Sequence, residues 1–523
     1  MSKKISSIID PPVFYISAVI ALAFILWGWV ASESMSNAVN AINGFLLSNF
    51  GWSYLLGATF FLVFVIVIAF SKYGDIKLGK DDDKPEFSTT TWFAMLFSAG
   101  MGIGLVFWSI AEPMWHYVDP PMGFEGGAID TVMIASRTTF FHWGLHPWAI
   151  FVVVGLALAY FQFRKGLPAL VSSTLYPILG EEGLKGPIAK SVDILAVFAT
   201  LFGVATSLGL GASQITQGLS HVYGISDGIA TTLVVIAIIT VLFTISTVTG
   251  IHRGIKYLSN INITLAILFI LFFTILGPTR FIFNFFTESI GVYFQNIIHM
   301  SFWADTVNQT GWLGWWTVFY WAWWIAWAPF VGGFIARISK GRTIREFLLG
   351  VLFAPVLMSF FWLSAFGGAA FWVELFGAGG IADSATANAA TALFVTLSHY
   401  PIPAIMSTLA TIMIATFFIT SADSATYVLG MLTSKGDLEP IVPLRIFWGT
   451  VNGAIAAVLL YIGGLGALQT ASIASAFPFM IVMFAMSYAL VKALRQEFAG
   501  NVYVGEVKAG NVSGNTNATT LSK

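Results

Sequence analysis

The residues of this sequence best suited to chemistry are aromatic. Trp312, Trp315, Trp316, Trp321, Trp323, Trp324 and Trp327 crowd one apolar stretch that ends in Pro329, Gly332 and Gly333. Tryptophan near the end of a membrane helix ordinarily marks the water interface, and Trp312, Trp315 and Trp316 suit that role. Trp323, Trp324 and Trp327 fall deeper. Trp324 and Trp327 are i,i+3 and share a helix face, beside an expected helix break. A second set, Phe140-Phe141-His142-Trp143-Gly-Leu-His146-Pro147-Trp148-Ala-Ile-Phe151, places Trp148 and Phe151 at i,i+3, with Trp143 just over a turn earlier. Core packing accounts for each residue singly; together the two sets predict an aromatic cage. A quaternary ammonium has no hydrogen to donate and is held by π-faces, at about 0.5–1 kcal/mol each when exposed and ~2 kcal/mol when desolvated. Three or four such faces would leave a micromolar-to-millimolar affinity, roughly −8 to −4 kcal/mol, from which a carried solute can be released.

Other groups are fewer. Gly100-Met101-Gly102-Ile103-Gly104 lies in mid-stretch. It reads either as a helix interrupted where backbone lines a cavity or as close helix packing through small residues. Asp193 and Asp423 are carboxylates inside apolar runs, which makes them functional candidates. Asp423 belongs to Thr420-Ser421-Ala422-Asp423-Ser424, an oxygen-rich cluster suited to a hard cation; a hydrogen-bonded structural acid is the competing reading. His142 and His146 are spaced i,i+4, as a metal pair would be. No HExxH pattern or carboxylate accompanies them, so hydrogen bonding is favoured over a metal or a proton relay.

The elements that must position these groups are membrane helices. The chain has 523 residues, 57% hydrophobic and only 9% charged, with a net charge of −1 and no cysteine. A soluble domain carries roughly 25% charged residues, so a soluble globular protein is excluded, as are a disulfide framework and a thiolate metal site. A basic nucleic-acid surface is not expected either. Twelve apolar stretches long enough to span centre on 13–31, 51–71, 91–113, 138–162, 190–220, 229–249, 257–278, 313–337, 346–373, 402–432, 443–464 and 468–491. The first, preceded by Lys3 and Lys4, reads as a retained helix and not a cleaved signal. With both termini cytoplasmic, every Lys and Arg except Arg137 and Arg280 falls on the inner side, as the positive-inside rule requires. Residues 279–312 predict an amphipathic helix along the outer surface, and the Gly/Asn/Thr-rich tail 496–523 predicts disorder. The organisation is thus 1–90 with two spans, 91–278, 279–312, 313–495 and the tail. An ion or water channel would show rings of charge, and an intramembrane enzyme would need a nucleophile–base constellation; neither is present in the pattern.

Four motifs in order resemble the betaine/choline/carnitine transporter family over nearly the whole chain: Gly100-Met-Gly-Ile-Gly104 with Glu112-Pro113; Phe141-His-Trp-Gly-Leu-His-Pro-Trp148; Tyr320-Trp-Ala-Trp-Trp324 through Ala336-Arg-Ile-Ser-Lys-Gly-Arg342; and Thr420-Ser-Ala-Asp-Ser424. The resemblance implies an all-α membrane protein of twelve helices with a LeuT-type core. Its two inverted five-helix repeats would occupy spans 3–7 and 8–12, and the protein would be a trimer. It implies a sodium-coupled importer of a quaternary-ammonium or sulfonium compatible solute, glycine betaine first, without enzymatic activity or cofactor. Proton-coupled or sodium-independent transport of choline, carnitine, ectoine or dimethylsulfoniopropionate is the alternative. By matched motif the solute would meet Trp143, Trp148, Phe151, Trp323, Trp324 and Trp327, with Met101, Gly102 and Gly104 at the interruption. One sodium would bind near Ser98, Ala99 and Met101 with Phe417, Thr420 and Ser421. A second, half-matched site would use Thr200 and Phe330, where a second family threonine is Val204. Phe151 stands where betaine members often have tyrosine. Gly104 stands where proton-coupled choline members tend to carry aspartate.

Overall fold

The computed structural model describes residues 8–100, 102–249 and 252–499; the side chains of 97–100, 248–249 and 252–256 lie outside that description. Among the described residues all regular structure is helical, apart from a single bridge between Lys77 and Thr343. Among the described residues, ten helices are long and apolar enough to cross a membrane. Large apolar side chains stay exposed along them, for instance Val63, Val67 and Phe70 on α2 (Ser32–Phe70) and Val234, Ile238 and Val241 on α9 (Ile229–Thr249). Exposed apolar area on that scale is what a lipid-facing surface requires.

The ten relate to the twelve expected stretches through two local events. Residues 91–113 do not form one continuous helix. They form α3 (Thr89–Gly100) and α4 (Ile103–Val118), with Gly102 extended between them at φ −148° and ψ −179°. The last two stretches form one 57-residue helix, α17 (Val442–Phe498), bent where Gly463 and Gly464 leave helical dihedrals. A third difference is length. α2 has 39 residues and is therefore about 58 Å long, because the polar segment from Ser32 continues the helix instead of linking it. The remaining expected stretches match α1 (Pro11–Val30), α8 (Pro187–Tyr223), α9, α10 (His252–Leu271), α12 (Phe319–Ile338), α13 (Ile344–Phe376) and α16 (Pro403–Leu432). The tail's expected disorder falls on residues 500–523, outside the described ones.

The fourth stretch is also interrupted, which the sequence reading did not anticipate. α5 (Thr131–Trp143) and α6 (Leu145–Ala159) meet at Gly144, whose φ is −96° and ψ −132°. A Cβ there would lie 2.5 Å from the Phe140 carbonyl oxygen and 2.9 Å from Tyr293 Oη. Tyr293 Oη accepts the Leu145 N–H at 3.2 Å, satisfying a donor at the break. Tyr293 belongs to α11 (Thr279–Phe302), the amphipathic helix expected in 279–312. That helix forms, and its buried residues Ile282, Phe285, Ser289 and Tyr293 pack on α5 and α13.

By contrast, the break expected beside Pro329, Gly332 and Gly333 is absent. α12 continues unbroken to Ile338. Gly332 serves packing instead: a Cβ there would sit 2.8 Å from Val154 Cγ1 and 3.0 Å from the Gly155 nitrogen, so glycines on α12 and α6 let the two backbones approach. α12 also packs on α8, and α8 on α16 and α17. The cage residues therefore stand on helices locked against one another.

Candidate functional site

Trp143, Trp148, Phe151, Trp323, Trp324 and Trp327 all line one small cavity of about 50 Å³, together with Gly102 and Gly104. The rings meet mostly edge to face. Trp143 and Trp324 have centroids 4.9 Å apart at 80°, Phe151 and Trp324 5.6 Å at 89°, and Trp148 and Phe151 5.8 Å at 86°. Trp323 stacks on Trp324 at 5.3 Å and 20°. Mutually perpendicular rings present π-faces from several directions, the arrangement a methylated cation needs.

Trp323, Trp324 and Trp327 place their indole N–H groups on backbone carbonyls. Trp324 Nε1 donates to the His142 carbonyl at 3.0 Å, and Trp327 Nε1 to the Gly203 carbonyl at 2.7 Å. Trp323 Nε1 reaches the same Gly203 oxygen at 3.3 Å. The start of α4 borders the same cavity. Ile103, Gly104 and Leu105 line it, with Gly104 packed directly against Trp323, and the first N–H groups of a helix have no intrahelical partner and carry partial positive charge. Aromatic faces beside helix-start amides suit a zwitterion. Met101 lies outside the described residues, and so do the side chains of Ser98 and Ala99.

Trp143 Nε1 donates to Glu112 Oε2 at 2.7 Å. Glu112 is the charged residue the sequence reading passed over, because Glu112-Pro113 was taken as the end of a span. It is fully buried on α4. Tyr320 Oη donates to the same Oε2 at 2.5 Å, while His142 Nδ1 and His116 Nε2 reach Oε1 at 2.7 and 3.2 Å. The expectation that no carboxylate accompanies the histidines is thereby corrected. His142 and His146 are not a pair either. The Gly144 break separates them, and His146 Nε2 meets Ser301 Oγ at 3.0 Å. Glu112, His116 and His142 bring their ligand atoms within 4.8 Å of one another, close enough to hold a metal ion. Each carboxylate oxygen already has two partners, while His116 Nδ1 is buried without one.

Of the expected cation ligands, Phe417, Thr420 and Ser421 on α16 line a second cavity of about 360 Å³ with Phe330 and Asn262. Gly102, Trp327, Val331 and Ser421 line both cavities, so the two adjoin. Thr420 Oγ1 accepts from Asn262 Nδ2 at 3.1 Å, and Asn262 Oδ1 is buried without a donor. That oxygen adds to a hard-cation donor set and went unnoticed in the sequence. Thr200 is buried on α8, donates to the Ala196 carbonyl at 2.8 Å and lines neither cavity. Neither acid singled out from the sequence lines either cavity. Asp193 accepts from Ser172 N and Oγ at 2.9 and 2.7 Å, and Asp423 accepts from Thr247. Both act as structural hydrogen-bond acceptors.

Lipid-facing helices around an aromatic-lined cavity, with an interrupted helix at its wall, define a multi-pass membrane transporter of small solutes. The chain belongs to the betaine/carnitine/choline (BCCT) transporter family, whose model matches residues 12–499; such proteins transport and do not catalyse. It is 54% identical over 488 residues to a probable glycine betaine transporter of Desulfitobacterium hafniense, covering 93% of this chain and 97% of the relative. It is 52% identical over 500 residues to the glycine betaine transporter OpuD of Bacillus subtilis, covering 95% and 96%. The ectoine/hydroxyectoine transporter of Virgibacillus pantothenticus is 44% identical over 489 residues, covering 93% and 97%.

Proposed function

We propose that this protein is a sodium-coupled importer of glycine betaine for osmoprotection. One observation carries the reading: two aromatic sets about 180 residues apart in sequence, centred on Trp143 and Trp324, line a single cavity together with the start of α4. The trimethylammonium head sits among Trp143, Trp148, Phe151 and Trp324. The carboxylate meets the amides of 103–105. Sodium binds between the α3 end and Phe417, Thr420 and Ser421, and its occupancy favours the solute-ready state. The chain crosses the membrane twelve times with both termini cytoplasmic, α3/α4 and α12 being the first helices of two inverted repeats in a LeuT-type core, and it assembles as a trimer.

Purified protein in liposomes tests this directly. Labelled glycine betaine should accumulate under an inward sodium gradient, and not under a proton gradient or none. Trp324→Ala should abolish uptake while the protein still inserts. Saturable uptake by that variant would refute the cage, and uptake driven equally by protons would refute the coupling.

A further inference from the structure

Glu112 does not line the cavity, yet it touches two aromatic rings of the site, Trp143 and Tyr320, through their polar edges. Its four partners come from three elements: His116 on its own helix, His142 and Trp143 on α5, and Tyr320 on α12. Trp143 and Tyr320 are obligate donors toward a carboxylate. His142 Nε2 faces Thr317 Oγ1 at 2.9 Å, whose hydroxyl can supply the proton that leaves Nδ1–H for Glu112. His116 Nδ1 is buried without a partner, which fits a neutral ring donating through Nε2. With both imidazoles donating to Oε1, the four partners fill both oxygens, and in that tautomeric arrangement the network suits the anion. Among the described residues no Lys or Arg pairs with Glu112; its only ion-pair geometry is with the two histidines. A buried negative charge therefore stands one indole behind the cavity, uncompensated by any fixed cation.

We propose that Glu112 is a positioning residue that sets the preference for a cationic head: its carboxylate fixes the Trp143 indole through the N–H and makes that ring, and the field at the cavity, more negative. The inference rests on the reading of the cavity as the site of a methylated zwitterion. The mechanism is electrostatic. A charge-assisted hydrogen bond to the indole edge pushes electron density toward the face that a cation would meet. The anion also acts on the cation directly across a low-dielectric interior, where such charges interact far more strongly than in water. A ligand of the same shape without positive charge gains neither term. Separating recognition in this way has a functional merit. A carboxylate in direct contact would hold the cation as an ion pair and resist its release, whereas one screened by a ring biases selection and leaves the contact weak.

The test compares glycine betaine with 3,3-dimethylbutanoate, its carbon isostere, by calorimetric binding to the purified full-length protein in detergent. In Glu112→Gln, glycine betaine affinity is expected to fall roughly tenfold while the isostere changes by less than about twofold. In Glu112→Asp, which keeps the charge, the ratio of the two affinities should stay within about twofold of the wild-type ratio. Equal weakening of both ligands in Glu112→Gln, the signature of a merely structural role, overturns the proposal. Collapse of the ratio in Glu112→Asp overturns it too, and that variant decides alone if the glutamine protein does not insert. Absence of glycine betaine binding by the wild-type protein would instead strike the functional reading on which the inference rests.

Discussion

Gly104 has no room for a side chain because Trp323 occupies the place: a Cβ there would lie 2.3 Å from the indole Cη2 and 3.1 Å from Cζ2. Trp323 is itself fully buried and stacked on Trp324, so it cannot withdraw without tilting the cage. Overpacking a filled interior costs about 1–3 kcal/mol, and here the displaced atoms belong to the site. Gly104→Ala is expected to insert normally and to lose glycine betaine affinity by roughly tenfold or more, measured by calorimetric titration; unchanged affinity would show that Trp323 plays no part in shaping the cavity. Trp148→Leu removes one π-face and keeps apolar bulk, so it should weaken binding by about 3- to 30-fold in the same titration. At this scale the indoles were legible because tryptophan is scarce and the i,i+3 spacing fixes a face. Glu112 was not, because a carboxylate near the end of an apolar stretch reads as a boundary. Only the coordinates show that its partners come from two other helices.

Interruptions in helices place those residues, and only some of them were readable. The Gly100–Gly104 run announces the α3/α4 break because glycines cluster there at membrane depth. The glycine and proline residues of α12 look similar in sequence and instead serve packing against Gly155. Pattern alone could not separate the two cases, since a glycine that frees the backbone and one that admits a neighbouring backbone have the same letter. The Gly144 break was hidden for the opposite reason: a single glycine between two strongly apolar halves leaves hydropathy unchanged. It matters because it splits the second aromatic set, placing Trp143 at the end of α5 and Trp148 in the first turn of α6. Tyr293 of α11 ties this junction by accepting the Leu145 N–H. Removing that hydroxyl leaves a buried donor unpaired, at about 1–3 kcal/mol. Tyr293→Phe should therefore lower the thermal unfolding midpoint in detergent. It should also weaken glycine betaine binding, because the two halves of the set lose their fixed relation. A stability loss with unaltered affinity would confine α11 to a structural role.

Across the whole molecule the basic residues sort the loops into two groups, and the fold supplies an independent reason to place one group together on one side. Segments that the charge pattern assigns to one side meet in space. Arg164 pairs with Asp81 and with Glu497, Lys165 with Glu497, and Arg345 with Asp75. The 72–84 loop also bridges to Thr343. Loops from four distant parts of the sequence could not make these pairs unless they shared a face. Arg137, by contrast, has its cation–π contact with Phe124, in a different loop. Isolated surface ion pairs contribute little stability, so their value here is as markers of sidedness. Because the chain contains no cysteine, single introduced thiols report sidedness without background. Val307, 90% exposed beyond α11, and Glu182, exposed between Arg164 and Lys190 in the sequence, lie in loops expected on opposite sides. Val307→Cys should react with a membrane-impermeant maleimide on intact cells, and Glu182→Cys only after lysis. The reverse pattern would invert the molecule and overturn the cytoplasmic placement of both termini. Labelling of both in intact cells would mean that an even number of crossings separates the two loops, where the assignment has three, and the twelve-crossing topology would fall with it.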